Sequence, residues 1–274
     1  MKNSLLLLLA LLLFTACTTI EISEGDAFDA HRTITPATFN ITPFTLNEIE
    51  LETSDDETLN GWYLTREDAK ATVVYFGGNG FLMVKSRPLI QAYANMNVNL
   101  LLFDYRGYGL SSGDPTVEGV KTDARSAYDF AMSRLSPGGQ KIIVHGHSMG
   151  AFLSSYITGQ NRVDGYIMES PVSEVKQWTK KLVPWILRPF VRFDIAEEIS
   201  AQSNLDNVSG VDAPLLIIGG SADDVTPFSM AEEVYEASAS PSKQLVEIEG
   251  GTHNNLPEFS KYRDELKSFL DTIY

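Results

Sequence analysis

The chain has 274 residues, of which 43% are hydrophobic, which suits one sizeable domain with an apolar core. Its 36 acidic residues outnumber the 21 basic ones and give a formal net charge of −15 at pH 7. Because this charge repels a phosphate backbone, the composition argues against nucleic acid as a partner.

The N-terminus has the pattern of an export signal. One lysine precedes an apolar run from Leu5 to Phe14, which is too short to cross the hydrocarbon core of a bilayer, about 30 Å thick, as a helix. The small residue Ala16 then precedes Cys17, the only cysteine, so no internal disulfide can form. We predict that residues 1–16 are a signal peptide, with a short anchor that stays attached as the alternative.

The placement of Cys17 resembles the lipobox of bacterial lipoproteins, in which a small residue precedes a cysteine that is acylated and becomes the mature N-terminus. Phe14 departs from the usual aliphatic residue at its position. The resemblance implies an exported protein held on a membrane, since several acyl chains anchor stably where one alone is marginal. Thr18, in place of an aspartate, favours the outer membrane if the cell is Gram-negative. Cleavage by an ordinary signal peptidase is the alternative.

Residues 17–47 are rich in Thr, Ser, Pro and acidic residues and show little periodicity. This composition is typical of a tether that holds a domain off a membrane, and an N-terminal arm packed on the domain is the alternative. Alternating patterns then appear at Glu48–Thr53 and Leu59–Thr65, separated by the turn sequence SDDE, and they predict an antiparallel hairpin. We therefore place the main domain at residues 48–274.

Six short apolar runs follow, separated by segments long enough for helices. They are ATVVYF from Ala71, NLLLFD from Asn99, KIIVHG from Lys141, VDGYIME from Val163, APLLIIGG from Ala213 and QLVEIEG from Gln244. Runs that are apolar on both faces indicate a parallel sheet covered on both sides, and residues 116–135 have the spacing of a covering helix. The predicted fold is α/β, with a mostly parallel eight-stranded sheet and helices on both faces.

One connection is longer than the others. Between Glu169 and Ala213 the chain passes through WTKKLVPWILRPFVRF, with two tryptophans and two prolines. Connections of more than about 15 residues are usually functional when they hold structure of their own. We predict a small helical lid at about 172–210, with an ordinary helical excursion as the alternative.

The segment Gly146–Gly150, GHSMG, fits the pattern G-x-S-x-G between the strand KIIVH and a plausible helix. A serine on such a strand-to-helix turn has a strained backbone and an exposed hydroxyl at the carboxyl edge of the sheet. The first N–H groups of the next helix can stabilise an anion there. The pattern predicts Ser148 as a nucleophile rather than a structural turn residue.

Elimination among the four histidines indicates the base for this nucleophile. His31 lies in the N-terminal segment, His147 points away from its neighbour Ser148, and His145 has the position of a core histidine on a strand. His253 remains, on the Gly-rich loop EGGTHNNL after the last strand, from which a side chain can reach the serine.

A base of this kind needs a carboxylate to fix its tautomer and stabilise the imidazolium. The best candidates follow the strand APLLII in GGSADDVTP, where Asp223 and Asp224 are adjacent. Only one of two adjacent side chains is expected to point inward. Glu169, at the end of the preceding strand, is a weaker rival.

The loop FGGNGF, Phe76–Phe81, follows an apolar strand and places three glycines around Asn79. Glycines let backbone N–H groups approach a ligand closely, and one oxyanion donor contributes about 2.7–4 kcal/mol to transition-state stabilisation. Neither G-x-G-x-x-G nor GK[ST] is present, which disfavours a nucleotide site. We expect the backbone N–H groups of Asn79 and Met149 to share the oxyanion.

Together, FGGNG, FDYRGYGLSSGDP, GHSMG, GGSADDVTP and GGTHN resemble the α/β-hydrolase superfamily, in the group of serine aminopeptidase-like proteins and small-lid esterases. The resemblance extends from about Glu48 to the end of the chain. It implies that Asp223, three residues before Thr226, is the catalytic acid and that Asp224 is a surface carboxylate. Relatives commonly have a histidine where this chain has Gly77.

The predicted function is a serine hydrolase that cleaves carboxylic esters of a small-molecule acyl substrate through an acyl-enzyme, without metal or organic cofactor. Peptide or amide hydrolysis by the same residues is the alternative, and a non-catalytic binding lipoprotein is a third hypothesis. Asp104, Tyr105 and Arg106 are expected to order the loop beneath the site rather than contact substrate.

Overall fold

The structure is a computed structural model, and it describes residues 18–32, 41–134, 140–181 and 190–274. The predicted signal peptide 1–16 and the predicted lipidation site Cys17 lie outside the described residues. Residues 182–189 of the predicted lid also lie outside them.

The described residues form ten β-strands. In chain order they are β1 Thr18–Ile22, β2 Thr45–Glu52, β3 Thr58–Thr65, β4 Ala71–Phe76, β5 Val98–Phe103, β6 Lys141–His147, β7 Gly165–Glu169, β8 Val191–Ile195, β9 Leu215–Gly220 and β10 Lys243–Ile248. The α-helices are α1 Arg87–Tyr93, α2 Val117–Arg134, α3 Met149–Gln160, α4 Val175–Lys181, α5 Glu197–Ser200, α6 Asn204–Val208, α7 Phe228–Ala237 and α8 Ser260–Asp271.

Eight of these strands form one twisted sheet in the order β10-β9-β7-β6-β4-β5-β3-β2. The hairpin of β2 and β3 is antiparallel and joins β5 antiparallel, whereas the remaining neighbours are parallel. Every residue of β4, β5, β7 and β9 is buried, as expected for strands that are covered on both faces. The predicted fold class is confirmed, and each of the six apolar runs overlaps one strand.

The helices divide between the two faces of the sheet. Residues of α2, α3 and α7 belong to one apolar cluster, and residues of α1 and α8 belong to a second cluster on the other side. The predicted helix at residues 116–135 is observed as α2. Two apolar layers of this size fix the sheet rigidly and hold the loops at its carboxyl edge.

The segments with candidate chemistry leave the sheet at that carboxyl edge. Ser148 directly follows β6, and the loop with Asn79 follows β4. Asp223 comes after β9 and His253 comes after β10. Because neighbouring parallel strands end on the same side, ligands of open α/β sheets bind at this edge.

Residues 18–32 pack on the domain as an arm. Strand β1 pairs in parallel with β8 over five residues, from Thr18 opposite Val191 to Ile22 opposite Ile195, and forms a separate two-stranded ribbon. Further along the arm, the Glu24 carboxylate accepts a hydrogen bond of 2.5 Å from the N–H of Val117. A carboxylate is favourable at this position because α2 begins there with unpaired N–H groups.

The region predicted as a lid contains α4, β8, α5 and α6 among its described residues. The ribbon of β1 and β8 joins this region to the N-terminal arm. Two segments that are about 170 positions apart in sequence therefore cover the same part of the carboxyl edge. The boundary at residue 48 and the limits 172–210 stay predictions.

Candidate active site

Ser148 occupies a strained turn between β6 and α3. Its backbone has φ 54° and ψ −112°, a region that costs a non-glycine residue of order 1–3 kcal/mol. A Cβ atom on Gly146 would lie 1.8 Å from the carbonyl oxygen of Gly150, and one on Gly150 would lie 1.9 Å from that of Phe76. Only glycine fits both positions, because the strand, the turn and the loop Phe76–Phe81 approach so closely. We call this loop the oxyanion loop after its predicted role.

Asp223 and His253 contact each other directly. Asp223 Oδ2 lies 2.8 Å from His253 Nδ1, and the carboxylate also accepts hydrogen bonds from the N–H groups of Val225 and Thr226. Burial raises the pKa of Asp223, but the hydrogen bonds from His253 and Thr226 outweigh it and lower the pKa to about 2. Since an ionised carboxylate only accepts, His253 carries its proton on Nδ1 and presents Nε2 as a base.

Asp224 is exposed, and Glu169, the rival acid, is placed elsewhere. The Glu169 carboxylate is buried beside β6, where it accepts a hydrogen bond of 2.9 Å from the Tyr262 hydroxyl. His145 Nε2 lies 3.2 Å from it, in a close contact rather than an aligned hydrogen bond. His145 Nδ1 in turn is 2.8 Å from the Tyr93 hydroxyl. The prediction that His145 is a core histidine is confirmed.

Thr226 is a site residue for which the sequence predicts no role of its own. Its hydroxyl lies 2.9 Å from Asp223 Oδ2 and 3.1 Å from His253 Nδ1. Its N–H also binds Asp223 Oδ1 at 2.8 Å. Thr226 therefore holds both oxygens of the carboxylate and fixes its orientation toward the imidazole.

His147 contacts the loop of His253 rather than the serine. Its Nε2 lies 2.8 Å from the backbone oxygen of His253, and because a carbonyl only accepts, this nitrogen carries the proton. Burial lowers the pKa of His147, which keeps the ring neutral near pH 7. A Cβ atom on Gly78 would lie 2.7 Å from Nδ1 of this ring. His147 thus fills the space between the oxyanion loop and the His253 loop.

Ser148 lines the same edge, but no hydrogen bond joins its Oγ to His253 within the residues that the structure describes. Such contacts are often long in ligand-free enzymes and shorten when substrate binds. The structure therefore brings Asp223 and His253 into contact, and Ser148 is linked to them through its neighbour His147, which binds the backbone of His253.

The loop with Asn79 is held by one aromatic ring and two tyrosine hydroxyls. A Cβ atom on Gly77 would overlap the ring of Phe81, at 2.1 Å, so this aromatic ring occupies the space of a larger residue 77. The Tyr105 hydroxyl donates to the Gly77 carbonyl at 3.0 Å, and the Tyr108 hydroxyl donates to Asn79 Oδ1 at 2.8 Å. The FDYRGYG segment thus supports this loop from below.

The arm contacts the side chain of Asn79 as well. Asn79 Oδ1 accepts a hydrogen bond of 2.7 Å from the N–H of Asp29, and Nδ2 donates one of 3.0 Å to the carbonyl of Ala27. The backbone N–H groups of Asn79 and Met149 have no acceptor among the described residues. Both groups are therefore available to a ligand in the cavity that Asn79, Met149 and Ser148 line together.

This cavity has a volume of about 360 Å³, within the usual range for small-molecule sites. Its walls come from the arm, the oxyanion loop, α2, α3 and the predicted lid. The apolar lining residues are Ile22, Ala27, Phe28, Val117, Val120, Met149, Phe152, Leu153, Val172, Val175, Trp178, Ile195 and Ile199. The carboxylate in the lining, Asp26, is exposed and accepts hydrogen bonds from Ser23.

Within residues 18–32, 41–134, 140–181 and 190–274, no three His, Cys, Asp or Glu side chains are grouped closely enough to hold a metal ion. No helix in these ranges is both long and apolar enough to cross a bilayer.

A family model described as "Serine aminopeptidase, S33" matches residues 67–207, just over half of the chain. The chain belongs to this S33 hydrolase family. The matched range includes the oxyanion loop and the turn with Ser148, whereas Asp223 and His253 lie beyond it.

Known proteins resemble this S33-family chain over most of its length. It is 29% identical over 253 residues to "Uncharacterized protein YfhR" of Salmonella typhi, covering 84% of this chain and 83% of that protein. It is 27% identical over 235 residues to "Uncharacterized membrane protein YNL320W" of Saccharomyces cerevisiae, covering 81% and 78%.

Solved structures agree on the fold. The Pyrococcus furiosus esterase Pf2001 superposes with a TM-score of 0.73 at 21% sequence identity, covering 90% of this chain and 98% of the esterase. At this level of identity the likeness shows the α/β-hydrolase fold, in agreement with the sheet order and the turn at Ser148.

Proposed function

We propose that this S33-family hydrolase cleaves carboxylic esters through an acyl-enzyme, with Ser148 as nucleophile, His253 as base and Asp223 as the acid that orients it. The observation that carries the proposal is the 2.8 Å contact between His253 Nδ1 and Asp223 Oδ2, at the same sheet edge where Ser148 occupies a strained strand-to-helix turn. This arrangement leaves His253 Nε2 as the proton acceptor at the edge of the sheet.

In the proposed reaction, Ser148 Oγ attacks the ester carbonyl carbon while its proton passes to His253 Nε2. The N–H groups of Asn79 and Met149 stabilise the negative oxygen of the tetrahedral intermediate. The alkoxide then takes the proton from His253 and leaves as the alcohol. The acyl group stays bound to Ser148 Oγ as the acyl-enzyme. Water then attacks the acyl carbon in the same way, releasing the carboxylic acid and restoring Ser148.

The cavity supports ester substrates with an apolar acyl group. Its described lining is mainly aliphatic and aromatic, and the carboxylate of Asp26 in that lining is exposed and accepts hydrogen bonds from Ser23. An aminopeptidase needs an anionic group to bind the amino terminus of a peptide, and the described lining offers no buried one. The choice of ester over peptide hydrolysis therefore rests on the composition of this lining.

The proposal includes export. Residues 1–16 would be removed and Cys17 would carry the lipid that anchors the enzyme on a membrane, the outer membrane in a Gram-negative cell. The name of the Saccharomyces relative, which describes it as a membrane protein, agrees with a membrane location. The net charge of −15 argues against nucleic acid as a partner.

Labelling with a fluorophosphonate probe tests the proposed activity directly. Folded protein is expected to be modified at Ser148 alone, because only an activated serine reacts, and heating before labelling should abolish the reaction. Mass spectrometry of the labelled peptide identifies the serine.

Turnover of p-nitrophenyl esters from acetate to dodecanoate is then compared with turnover of aminoacyl p-nitroanilides. Faster cleavage of the anilides would contradict an esterase, and absence of both labelling and turnover would contradict a hydrolase.

Phe28 on the arm is expected to limit the length of the acyl group, because its half-buried ring lines the cavity. Phe28→Ala should raise kcat/KM for the longest esters relative to butyrate by about tenfold or more, since one methylene in an apolar pocket changes binding by about 1–3 kcal/mol. An ester panel of graded chain length measures the ratio. Phe130→Ala, which removes a half-buried ring on α2 outside the cavity lining, is the control, and an equal shift there would refute the assignment.

A further inference from the structure

A cationic segment lies within this acidic chain. Between Val175 and Phe193 there are five lysines and arginines and no aspartate or glutamate, although the whole chain has a net charge of −15. The five are Lys176, Lys180, Lys181, Arg188 and Arg192. Lys176, Lys180 and Arg192 lie at exposed positions in the part of the chain that the structure describes, where positive charge attracts an anionic partner.

Lys176, Lys180 and Arg192 line one groove, together with Thr179, Val191, Phe193 and Ile195. We call it the cationic groove, and it has a volume of about 390 Å³. None of the described residues that line it carries a carboxylate. Among the described residues, none of the three cations has a salt bridge. The groove thus combines apolar walls with positive charges that form no salt bridge with a described carboxylate.

The cationic groove adjoins both the cavity of Ser148 and the N-terminal end of the arm. Thr179 and Ile195 line the groove and the cavity alike. The N–H of Thr18 donates a hydrogen bond of 2.9 Å to the carbonyl of Phe190, next to the groove residue Val191. Cys17, the proposed lipid attachment site, directly precedes Thr18 in sequence, so the anchor would emerge beside the groove.

We propose that the cationic groove docks on a bilayer that contains anionic phospholipid. Lysine and arginine side chains attract anionic headgroups, while apolar and aromatic side chains enter the boundary with the acyl chains. The remaining surface is strongly acidic and is repelled by the same bilayer, which orients the protein with this face toward the lipid. Glu21 and Asp194, which pair in register on the ribbon, do not line the groove. The proposal is independent of the chemistry at Ser148.

Vesicle sedimentation tests this surface without the anchor. A form that begins at Thr18 contains every described residue and is mixed with vesicles of phosphatidylcholine alone or of equal parts phosphatidylcholine and phosphatidylglycerol. Binding is expected only with phosphatidylglycerol and should weaken as salt is raised, because ions screen the charges. The triple variant K176E/K180E/R192E should bind at least tenfold more weakly.

The matched control reverses two lysines and one arginine on exposed positions elsewhere, in K85E/R134E/K267E. Both variants change the net charge equally, so a difference in vesicle binding between them would show that the charges of the cationic groove matter. An equal loss in the two variants, or binding that does not depend on phosphatidylglycerol, overturns the proposal. Circular dichroism spectra that match the wild type show that the variants are folded, so the outcome stands even if no esterase activity is found.

Discussion

Replacing Ser148 with alanine is expected to lower kcat for p-nitrophenyl butyrate by about 10⁴-fold or more, because alanine cannot form the acyl-enzyme. The alanine side chain is smaller and leaves the turn of Gly146 and Gly150 in place, so KM should change little. Steady-state kinetics with both proteins at several substrate concentrations separates the two constants. Residual turnover would come from the oxyanion donors and substrate binding alone.

The control for this variant is Ser133→Ala, which removes an exposed hydroxyl on α2 and should retain wild-type rates. A second comparison uses non-additivity: when two residues act as one catalytic unit, removing the second reduces kcat little once the first has been removed. His253→Ala is therefore expected to reduce kcat strongly in the wild type and hardly at all in the Ser148→Ala background. Activity of Ser148→Ala within tenfold of the wild type would rule out the proposed nucleophile.

Arg106→Met is expected to destabilise the protein by about 3–5 kcal/mol, because it leaves a buried carboxylate without its partner. The Arg106 side chain is 7% exposed and that of Asp123 is fully buried. Arg106 Nε donates to Asp123 Oδ1 at 2.8 Å and its backbone N–H donates to Oδ2 at 2.9 Å. Asp55 binds the far side of the guanidinium at 2.7 Å. Denaturant unfolding of wild type and variant measures the loss.

The double variant Arg106→Met with Asp123→Asn is expected to recover part of this stability. An amide oxygen can still accept the N–H of residue 106, and no charge is left in the interior. Further destabilisation by the second change would contradict the reasoning from an unpaired charge. The network supports Tyr105 and Tyr108, whose hydroxyls bind the oxyanion loop, so the structural role expected for Arg106 agrees with its contacts.

The destabilisation caused by Arg106→Met should also depend on pH. Burial raises the pKa of Asp123 to about 6, although Arg106 lowers it, whereas an unfolded aspartate has a pKa near 3.9. Because the folded state holds the proton more tightly, the contribution of Asp123 to stability falls as pH rises through this window. Removing Arg106 raises the pKa of Asp123 further. The destabilisation should therefore be larger at pH 8 than at pH 5, and an equal loss at both would contradict it.

The central sheet could be predicted because its strands are covered on both faces. A strand such as β9 must be apolar at every position, and this run stands out in the sequence. The turn at Ser148 could be predicted for a related reason, since the close approach at Gly146 and Gly150 excludes any side chain. Such constraints act on consecutive residues and leave a local pattern.

The contacts of the arm could not be predicted in this way. Strand β1 is polar and mostly exposed, and its partner β8 lies about 170 positions away, so the pairing has no periodic signal. The sequence predicts a role only for the backbone N–H of Asn79, whereas its side chain binds the carbonyl of Ala27 and the N–H of Asp29. His147 likewise binds a backbone oxygen of a distant loop. Interactions between remote parts of a chain depend on the assembled fold.

The pairing of β1 with β8 also fixes how far the enzyme could stand from its anchor. Ile22 lines the cavity and is five residues from Cys17, and five extended residues span at most about 18 Å. With Cys17 acylated, as proposed, no flexible linker separates the lipid from the cavity that Ser148 lines. The enzyme would then diffuse only in the plane of the membrane. Esters dissolved in the lipid would have a high local concentration around it, whereas water-soluble esters would reach it only from the bulk solution.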